Sequence, residues 1–94
     1  MEIVFDPAKD LRNRAKHGVS LVLAARLEWD LLLAIEDTRR DYGEPRIIGF
    51  APIKDRVYCV VFTDRPEHRQ RRIISLRKAN RREVRRYARK IEAP

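Results

Sequence analysis

The sequence predicts a single α+β domain in which two N-terminal helices and a C-terminal helix pack on an antiparallel sheet of about four strands. A chain of 94 residues is long enough for one hydrophobic core and too short for two. Helical patterns occupy both ends of the chain, and segments rich in β-branched and aromatic residues follow one another between them. Helices segregated from consecutive strands are typical of an α+β domain, here residues 1–94.

The N-terminal part starts with a short β-type run, Ile3 to Phe5, and continues into two predicted helices. Asp6-Pro7 predicts the start of the first helix, because a carboxylate caps free N–H groups and proline suits the first helical position. An apolar stripe at helical spacing follows, and Gly18 predicts a left-handed end. Ser20 is expected to cap a second helix over residues 21–27, which are apolar nearly all round.

The strands are predicted from β-rich segments that are separated by turn residues. These segments are residues 31–35, 46–53, 56–63 and 71–77. Lys54-Asp55 separates two of them and predicts a hairpin with a two-residue turn. In the last segment, alternation places Ser75 and Arg77 outward when Ile74 and Leu76 face the core.

The C-terminal segment predicts a closing helix. Asn80-Arg81-Arg82-Glu83 resembles a capping box, in which the first and last side chains satisfy each other's backbone N–H groups. An apolar stripe then recurs at Val84, Tyr87, Ala88 and Ile91.

The charge of the chain is strongly positive and unevenly distributed. Lys and Arg number 22 against 14 Asp and Glu, which gives a formal net charge of +8. Residues 47–94 carry 14 of the basic and 5 of the acidic side chains, a balance of +9. Such a surface favours polyanionic partners such as nucleic acid or an acidic protein.

The sequence predicts neither a metal nor a cofactor nor contact with a membrane. His17 and His68 are 51 positions apart and Cys59 is the single cysteine, so no pair has metal-ligand spacing. No glycine-rich phosphate loop or nucleophile motif occurs. The N-terminus shows no leader pattern, and the longest apolar stretches fall far short of the ~18 residues of a membrane span, so we expect a cytoplasmic protein.

The most informative stretch runs from Arg71 to Tyr87, a strand that leads into a helix with cations on both. A solvated basic surface is the simplest interpretation. The excess of arginine over lysine favours phosphate binding instead, because guanidinium groups bind phosphate bidentately and stack on bases. Taken alone, His17 indicates a helix end and Tyr42-Gly43-Glu44 a turn.

Three motifs, in order along nearly the whole chain, are similar to those of a known toxin family. The first comprises Asp6, Lys9, Asn13 and Lys16-His17-Gly18-Val19-Ser20, the second Asp37, Arg39, Tyr42-Gly43-Glu44 and Arg46, and the third Arg72-Ile73-Ile74-Ser75, Arg77-Lys78-Ala79, Arg82-Glu83 and Tyr87. Together they resemble the BrnT family, the toxin half of a bacterial type II toxin–antitoxin pair.

The resemblance implies a RelE-like fold and a ribonuclease that arrests translation. It further implies neutralisation by a cognate ribbon-helix-helix antitoxin similar to BrnA, with operator DNA bound only through the toxin–antitoxin complex. RNA is the implied substrate, and no cofactor, metal or membrane is implied. The competing interpretation is a non-catalytic basic module that binds nucleic acid.

Metal-free RNA cleavage requires three tasks of a protein: deprotonation of the 2′-hydroxyl nucleophile, stabilisation of the phosphorane and protonation of the departing 5′-oxygen. We expect Arg77 and Arg46 to bind the phosphate from neighbouring strands, with Lys78 assisting. The candidates for proton transfer are Tyr87, Glu83, Glu44 and His17, although Glu83 also fits a helix cap and Tyr87 a core position. Further RNA contacts are expected from Arg72, Arg81, Arg82, Arg85 and Arg86.

Overall fold

The computed structural model describes residues 1–92, which form one mixed five-stranded sheet and an α-helix near each end of this range. The helices are α1 (Pro7–His17) and α2 (Arg81–Glu92), and the strands are β1 (Glu2–Phe5), β2 (Leu33–Glu36), β3 (Ile47–Ile53), β4 (Arg56–Arg65) and β5 (Gln70–Lys78). The strand order in the sheet is β1-β5-β4-β3-β2. The predicted α+β class is confirmed.

The expectation of an antiparallel sheet of about four strands is wrong in strand number and in direction. The sheet has five strands, and β1 runs parallel to β5, with Ile3 opposite Arg71 and Phe5 opposite Ile73. The other neighbouring strands are antiparallel. Consecutive strands joined by short loops pair antiparallel, but β1 meets a partner from the far end of the chain, so nothing local indicates its direction.

The second predicted helix, over residues 21–27, is a 3-10 helix instead and spans Leu21–Arg26. The N–H of Leu27 donates to the carbonyl of Ala24, three residues back. Leu21, Ala24 and Leu27 are all buried, and their spacing of three matches the three residues per turn of a 3-10 helix. An α-helix would turn these side chains progressively away from the sheet, so burial of this stripe favours the tighter winding.

Helix α1 begins and ends where the sequence indicates. The Asp6 carboxylate accepts the N–H of Ala8 at 2.9 Å, and Gly18 takes the left-handed conformation, with φ 70°, directly after the helix. Within α1, Asp10 accepts hydrogen bonds from the Ser20 hydroxyl at 3.0 Å and from the N–H of Leu21 at 2.7 Å. Asp10 therefore fixes the direction in which the chain leaves the helix.

A β-bulge lies in β5 where it pairs with β4. Phe62 pairs with Ile73 while the residue before it pairs with Ser75, so Ile74 is the extra residue. Ile73 and Leu76, three positions apart, are both fully buried. Strict alternation, which would place Ile74 with Leu76 in the core, is therefore wrong for this strand, because a bulge reverses the side on which subsequent side chains lie.

The hydrophobic core covers one face of the sheet. Ala51, Val60 and Phe62 pack there against the 3-10 helix. The Trp29 ring meets Phe62 edge to face, with 5.3 Å between the ring centroids, and its indole N–H donates to the carbonyl of Ala24 at 3.0 Å. The opposite face of the sheet lines two cavities, one beside α1 and one beside α2.

Asn13 joins α1 to the sheet. Strand β1 pairs with β5 only at residues 70–73, so within residues 1–92 no strand covers the later backbone of β5 on that side. The Asn13 side chain takes its place: the amide NH₂ donates to the carbonyls of Leu76 at 2.7 Å and Val19 at 2.8 Å, and the amide oxygen accepts the N–H of Leu76 at 3.1 Å. With Asn13 only 5% exposed, these bonds are shielded from water.

We expect Asn13→Ala to lower the free energy of unfolding by about 2 to 4 kcal/mol, because it leaves the buried N–H and C=O of Leu76 without partners. Denaturation in urea, followed by circular dichroism, measures this loss. The control is Leu11→Ala on the same helix, a residue that is 62% exposed, for which a change below about 0.5 kcal/mol is expected. Equal stability of the two variants would show that the amide does not anchor α1.

Candidate functional site

A cleft of about 510 Å³ lies on the sheet face opposite the core, beside α1. Its apolar part comes from strands β3, β4 and β5, where Ile48, Val61 and Ile74 lie. The remaining lining is basic or polar: Lys9, Arg12, Asn13, Lys16, His17, Arg39, Cys59, Ser75 and Arg77. None of the cleft-lining side chains in the described part of the chain is a carboxylate, so the cleft suits an anion that also presents a flat apolar group.

The wall formed by α1 is basic because of its residue spacing. Lys9, Arg12 and Lys16 recur at i, i+3 and i+7, which places them on one side of a helix. The buried side of α1 is held to β5 through Asn13, so this row of cations is directed along the cleft. The positive potential there therefore comes from cations at helical spacing on α1 and not from a run of consecutive charged residues.

Arg77 lies at the end of β5 and is held in place by Glu83 from the first turn of α2. Its two terminal nitrogens donate to the two carboxylate oxygens at 2.8 and 2.9 Å. Glu83 also accepts the N–H of Asn80 at 2.9 Å, and Asn80 accepts the N–H of Glu83 at 2.9 Å, which confirms the predicted capping box. The hydrogen bonds from Arg77, and then that from the Asn80 N–H, lower the pKa of Glu83, while its carboxylate raises the pKa of Arg77, so both side chains are charged at neutral pH.

Arg39 lines the same cleft and is held by a second carboxylate. Its Nε and Nη2 donate to Asp37 at 2.9 and 2.8 Å, and its backbone N–H donates to the same side chain at 3.2 Å. The Tyr42 hydroxyl gives Asp37 a further hydrogen bond at 3.1 Å. The hydrogen bonds from Arg39 hold the pKa of Asp37 well below its usual range, so this carboxylate is charged at neutral pH.

His17, the last residue of α1, lies half-buried in the cleft. Burial, and then the positive charges of Lys16 and Arg77, lower the pKa of His17 from its ordinary value of 6.5. The imidazole is therefore mostly neutral at pH 7, with one ring nitrogen that can accept a proton. In isolation its sequence position indicates only a helix end, whereas the fold brings it to the site of Arg77.

Arg46 and Glu44 lie outside this cleft, beside a separate hollow formed by the loop between β2 and β3. The Arg46 guanidinium stacks on the Tyr42 ring, 3.9 Å from its centroid, and Glu44 lies 3.8 Å from a terminal nitrogen of Arg65. The structure thus does not bring Arg46 and Glu44 together with Arg77. The arginines that do share the cleft with Arg77 are Arg12 of α1 and Arg39, which follows β2.

Tyr87 and Arg86 line another hollow, of about 270 Å³, between α2 and strands β2 and β3. The Tyr87 hydroxyl donates to the carbonyl of Leu31 at 2.8 Å, and burial raises its pKa, so it keeps its proton at neutral pH. Tyr87 is 9% exposed and is the buried residue of α2, whereas Val84 and Ile91 are 37% and 44% exposed. The predicted apolar stripe of α2 is therefore only partly buried.

The other predicted site residues lie on the surface or in another hollow. Arg72 lines a hollow with Asp6 beside β1. The exposed ones are Lys78 at the end of β5 and, on α2, Arg81, Arg82 and Arg85. These side chains add to the positive potential around the domain without lining the cleft.

Sequence reasoning missed several cleft residues. Lys9, Arg12 and Lys16 could have been found by applying helical spacing to charged residues as well as to apolar ones. Arg39 carries no such local signal, because its position depends on the pairing of β2 with β3 and on the buried Asp37.

The amino-acid sequence matches the family described as ribonuclease toxin, BrnT, of type II toxin–antitoxin system over residues 5–83. The chain belongs to the BrnT family. The matched segment contains every residue that lines the cleft, whereas most of α2 follows it. No curated protein matches the chain.

Membership of the BrnT family makes the chain a ribonuclease toxin of a type II toxin–antitoxin system, with RNA as substrate and an antitoxin as partner. Among residues 1–92, no helix is both long and apolar enough to cross a membrane. In the same range, no three His, Cys, Asp or Glu side chains are grouped as metal ligands. The cleft of this BrnT-family chain is lined by cationic side chains together with His17.

Proposed function

We propose that this BrnT-family toxin cleaves single-stranded RNA in the cleft beside α1, with the RNA's own 2′-hydroxyl as the nucleophile and with no metal ion. The observation that carries the proposal is the shared placement of His17 and Arg77 in one basic cleft. An apolar floor below a cationic rim suits an unpaired nucleotide, with the base on the strands and phosphates on the rim.

The chemical step divides among the cleft residues. Neutral His17 takes the proton of the 2′-hydroxyl as its oxygen bonds to phosphorus. Arg77, already oriented by Glu83, stabilises the charge of the phosphorane. The bond to the 5′-oxygen then breaks, and that oxygen takes a proton from an ammonium group on the α1 wall, Lys9 or Lys16. The products are a 2′,3′-cyclic phosphate and a 5′-hydroxyl end.

The remaining predicted residues have supporting roles in this proposal. Glu83 positions Arg77, since both of its oxygens are occupied by that guanidinium. Tyr87 anchors α2 through Leu31. Arg46 stabilises the loop that carries Arg39, and Lys78 with the α2 arginines attracts RNA over a longer range.

Translation arrest in the cytoplasm follows from loss of messenger RNA, and a RelE-like organisation of the domain is part of the same proposal. A ribbon-helix-helix antitoxin similar to BrnA neutralises the toxin, and the complex reaches operator DNA through the antitoxin. The balance of +9 over residues 47–94 supports an acidic antitoxin segment on the surface that also attracts RNA, with Arg77, Arg81 and Arg85 serving both ligands.

The purified protein is expected to cleave single-stranded RNA in excess EDTA and to leave 5′-hydroxyl ends, which are identified by direct labelling with a kinase. Arg77→Ala should lower kcat by a factor of about 10² to 10³, because an oriented donor to the transition-state charge is lost. Arg56→Ala, at the exposed β3–β4 turn, is the matched control and should retain activity. Binding of RNA without cleavage would support the non-catalytic module in place of the nuclease.

The role of His17 predicts a specific pH profile. Because its pKa lies below 6.5, kcat/KM should be level above neutrality and fall as pH drops through the histidine pKa and the base becomes protonated. His17→Gln should lower kcat/KM at pH 7.5 by a factor of about 10² and remove the acidic limb. An unchanged acidic limb in this variant would assign the base to another group.

Shared use of the basic surface predicts competition between antitoxin and RNA. Saturating antitoxin should abolish binding of a fluorescent RNA oligonucleotide, and RNA affinity alone should fall with salt at a logarithmic slope of about −0.7 per phosphate contacted. Antitoxin binding should depend less on salt, because a specific protein interface adds apolar contacts. Simultaneous binding at undiminished RNA affinity would place the antitoxin elsewhere.

A further inference from the structure

Two arginines of the cleft, Arg39 and Arg77, are each held by one carboxylate, Arg39 through Nε and Nη2 and Arg77 through Nη1 and Nη2. Each donates two hydrogen bonds of 2.8 to 2.9 Å to both oxygens of one carboxylate, Asp37 for the first and Glu83 for the second. A guanidinium has five N–H donors, so a bidentate pair leaves donors over for another anion. The carboxylates thus fix the positions of the two guanidinium groups, and each guanidinium keeps N–H donors that can bind another anion.

The burial of the Asp37–Arg39 pair is asymmetric. The Asp37 side chain is 1% exposed, whereas the Arg39 side chain is 71% exposed. Hydrogen bonds from the Arg39 backbone N–H and the Tyr42 hydroxyl also hold the carboxylate in place. The negative partner is therefore buried in the loop, and the positive partner is presented to the cleft.

A third bidentate pair, Arg71 with Asp64, shows what a structural arginine looks like in this protein. The Arg71 side chain is 21% exposed, and its guanidinium lies 4.6 Å from the Trp29 ring centroid and 4.5 Å from that of Phe62. Arg71 is thus packed against aromatic rings, where its charge is covered. Arg39 has the same carboxylate geometry but stands exposed in a cleft with Arg77.

From this contrast we propose that Arg39 is a second phosphate-binding residue, which takes the phosphate next to the one at Arg77, and that Asp37 is its positioning residue. The proposal rests on the proposed function in one respect, the binding of the scissile phosphate by Arg77. The substrate then spans at least two phosphates, and recognition requires a flexible single strand that can follow both arginines.

The first test measures binding of a 2′-O-methyl pentanucleotide, which has four phosphates and no nucleophilic 2′-hydroxyl. Arg39→Gln should weaken its binding about tenfold and reduce the steepness of the logarithmic salt dependence by about 0.7, the contribution of one phosphate contact. Arg40→Gln, the same charge change on the adjacent exposed residue, is the control and should leave the salt slope unchanged. Equal effects of the two substitutions would overturn the site, since they would mean that only net charge matters.

The second test concerns Asp37. Asp37→Asn makes the protein more positive, so attraction by charge alone predicts tighter binding, whereas loss of the oriented guanidinium predicts binding weaker by about tenfold. Tyr42→Phe removes one hydrogen bond from the same carboxylate but leaves both bonds from the guanidinium, so its binding should weaken less than that of Asp37→Asn. Circular dichroism at the assay temperature restricts the comparison to folded protein. Tighter binding by folded Asp37→Asn would overturn the positioning role.

The 2′-O-methyl probe separates this proposal from the nuclease activity. If the wild type fails to cleave RNA but Arg39→Gln still loses one phosphate contact, the proposed catalysis is wrong and the second phosphate site stands. If RNA is cleaved but Arg39→Gln binds the pentanucleotide as the wild type does, the nuclease stands and the second site is wrong.

Discussion

The Asn13 side chain is the contact on which the rest of the site depends. Strand β1 is too short to cover β5 along its whole length, and the amide of Asn13 supplies the donor and acceptor that a longer strand would have given. This contact holds α1 alongside β5 at Leu76, one residue before Arg77. The cations of α1 and the arginine of β5 therefore line one cleft.

The β-bulge at Ile74 determines which side chains of β5 enter that cleft. With regular alternation, burial of Ile73 would place Ser75 and Arg77 on the core side as well. The extra residue lets Ile73 and Leu76 both enter the core, so that Ser75 and Arg77 line the cleft. One extra residue thus allows β5 to contribute both buried side chains and an arginine that lines the cleft.

Features with a local cause were predicted correctly: the Asp6 cap, the Gly18 helix end, the Lys54-Asp55 turn and the capping box between Asn80 and Glu83. Features that depend on residues far away in the sequence were not predicted correctly. Three such features depend on tertiary contacts. Strand β1 pairs in parallel, the segment that begins at Leu21 forms a 3-10 helix, and Arg39, not Arg46, lies in the cleft with Arg77. The order of the three motifs identified the family, but it could not show which of their arginines meet.

A basic cleft must keep its cations close together against their mutual repulsion, and the placement of acidic residues shows how this chain does so. Asp37 and Glu83 neutralise part of that repulsion, because each binds a cleft arginine without itself lining the cleft. The low pKa values of both carboxylates keep these counter-charges in place at neutral pH. In the proposed mechanism, a phosphate meets guanidinium groups whose orientation is already fixed, so less of its binding free energy is lost to ordering flexible side chains.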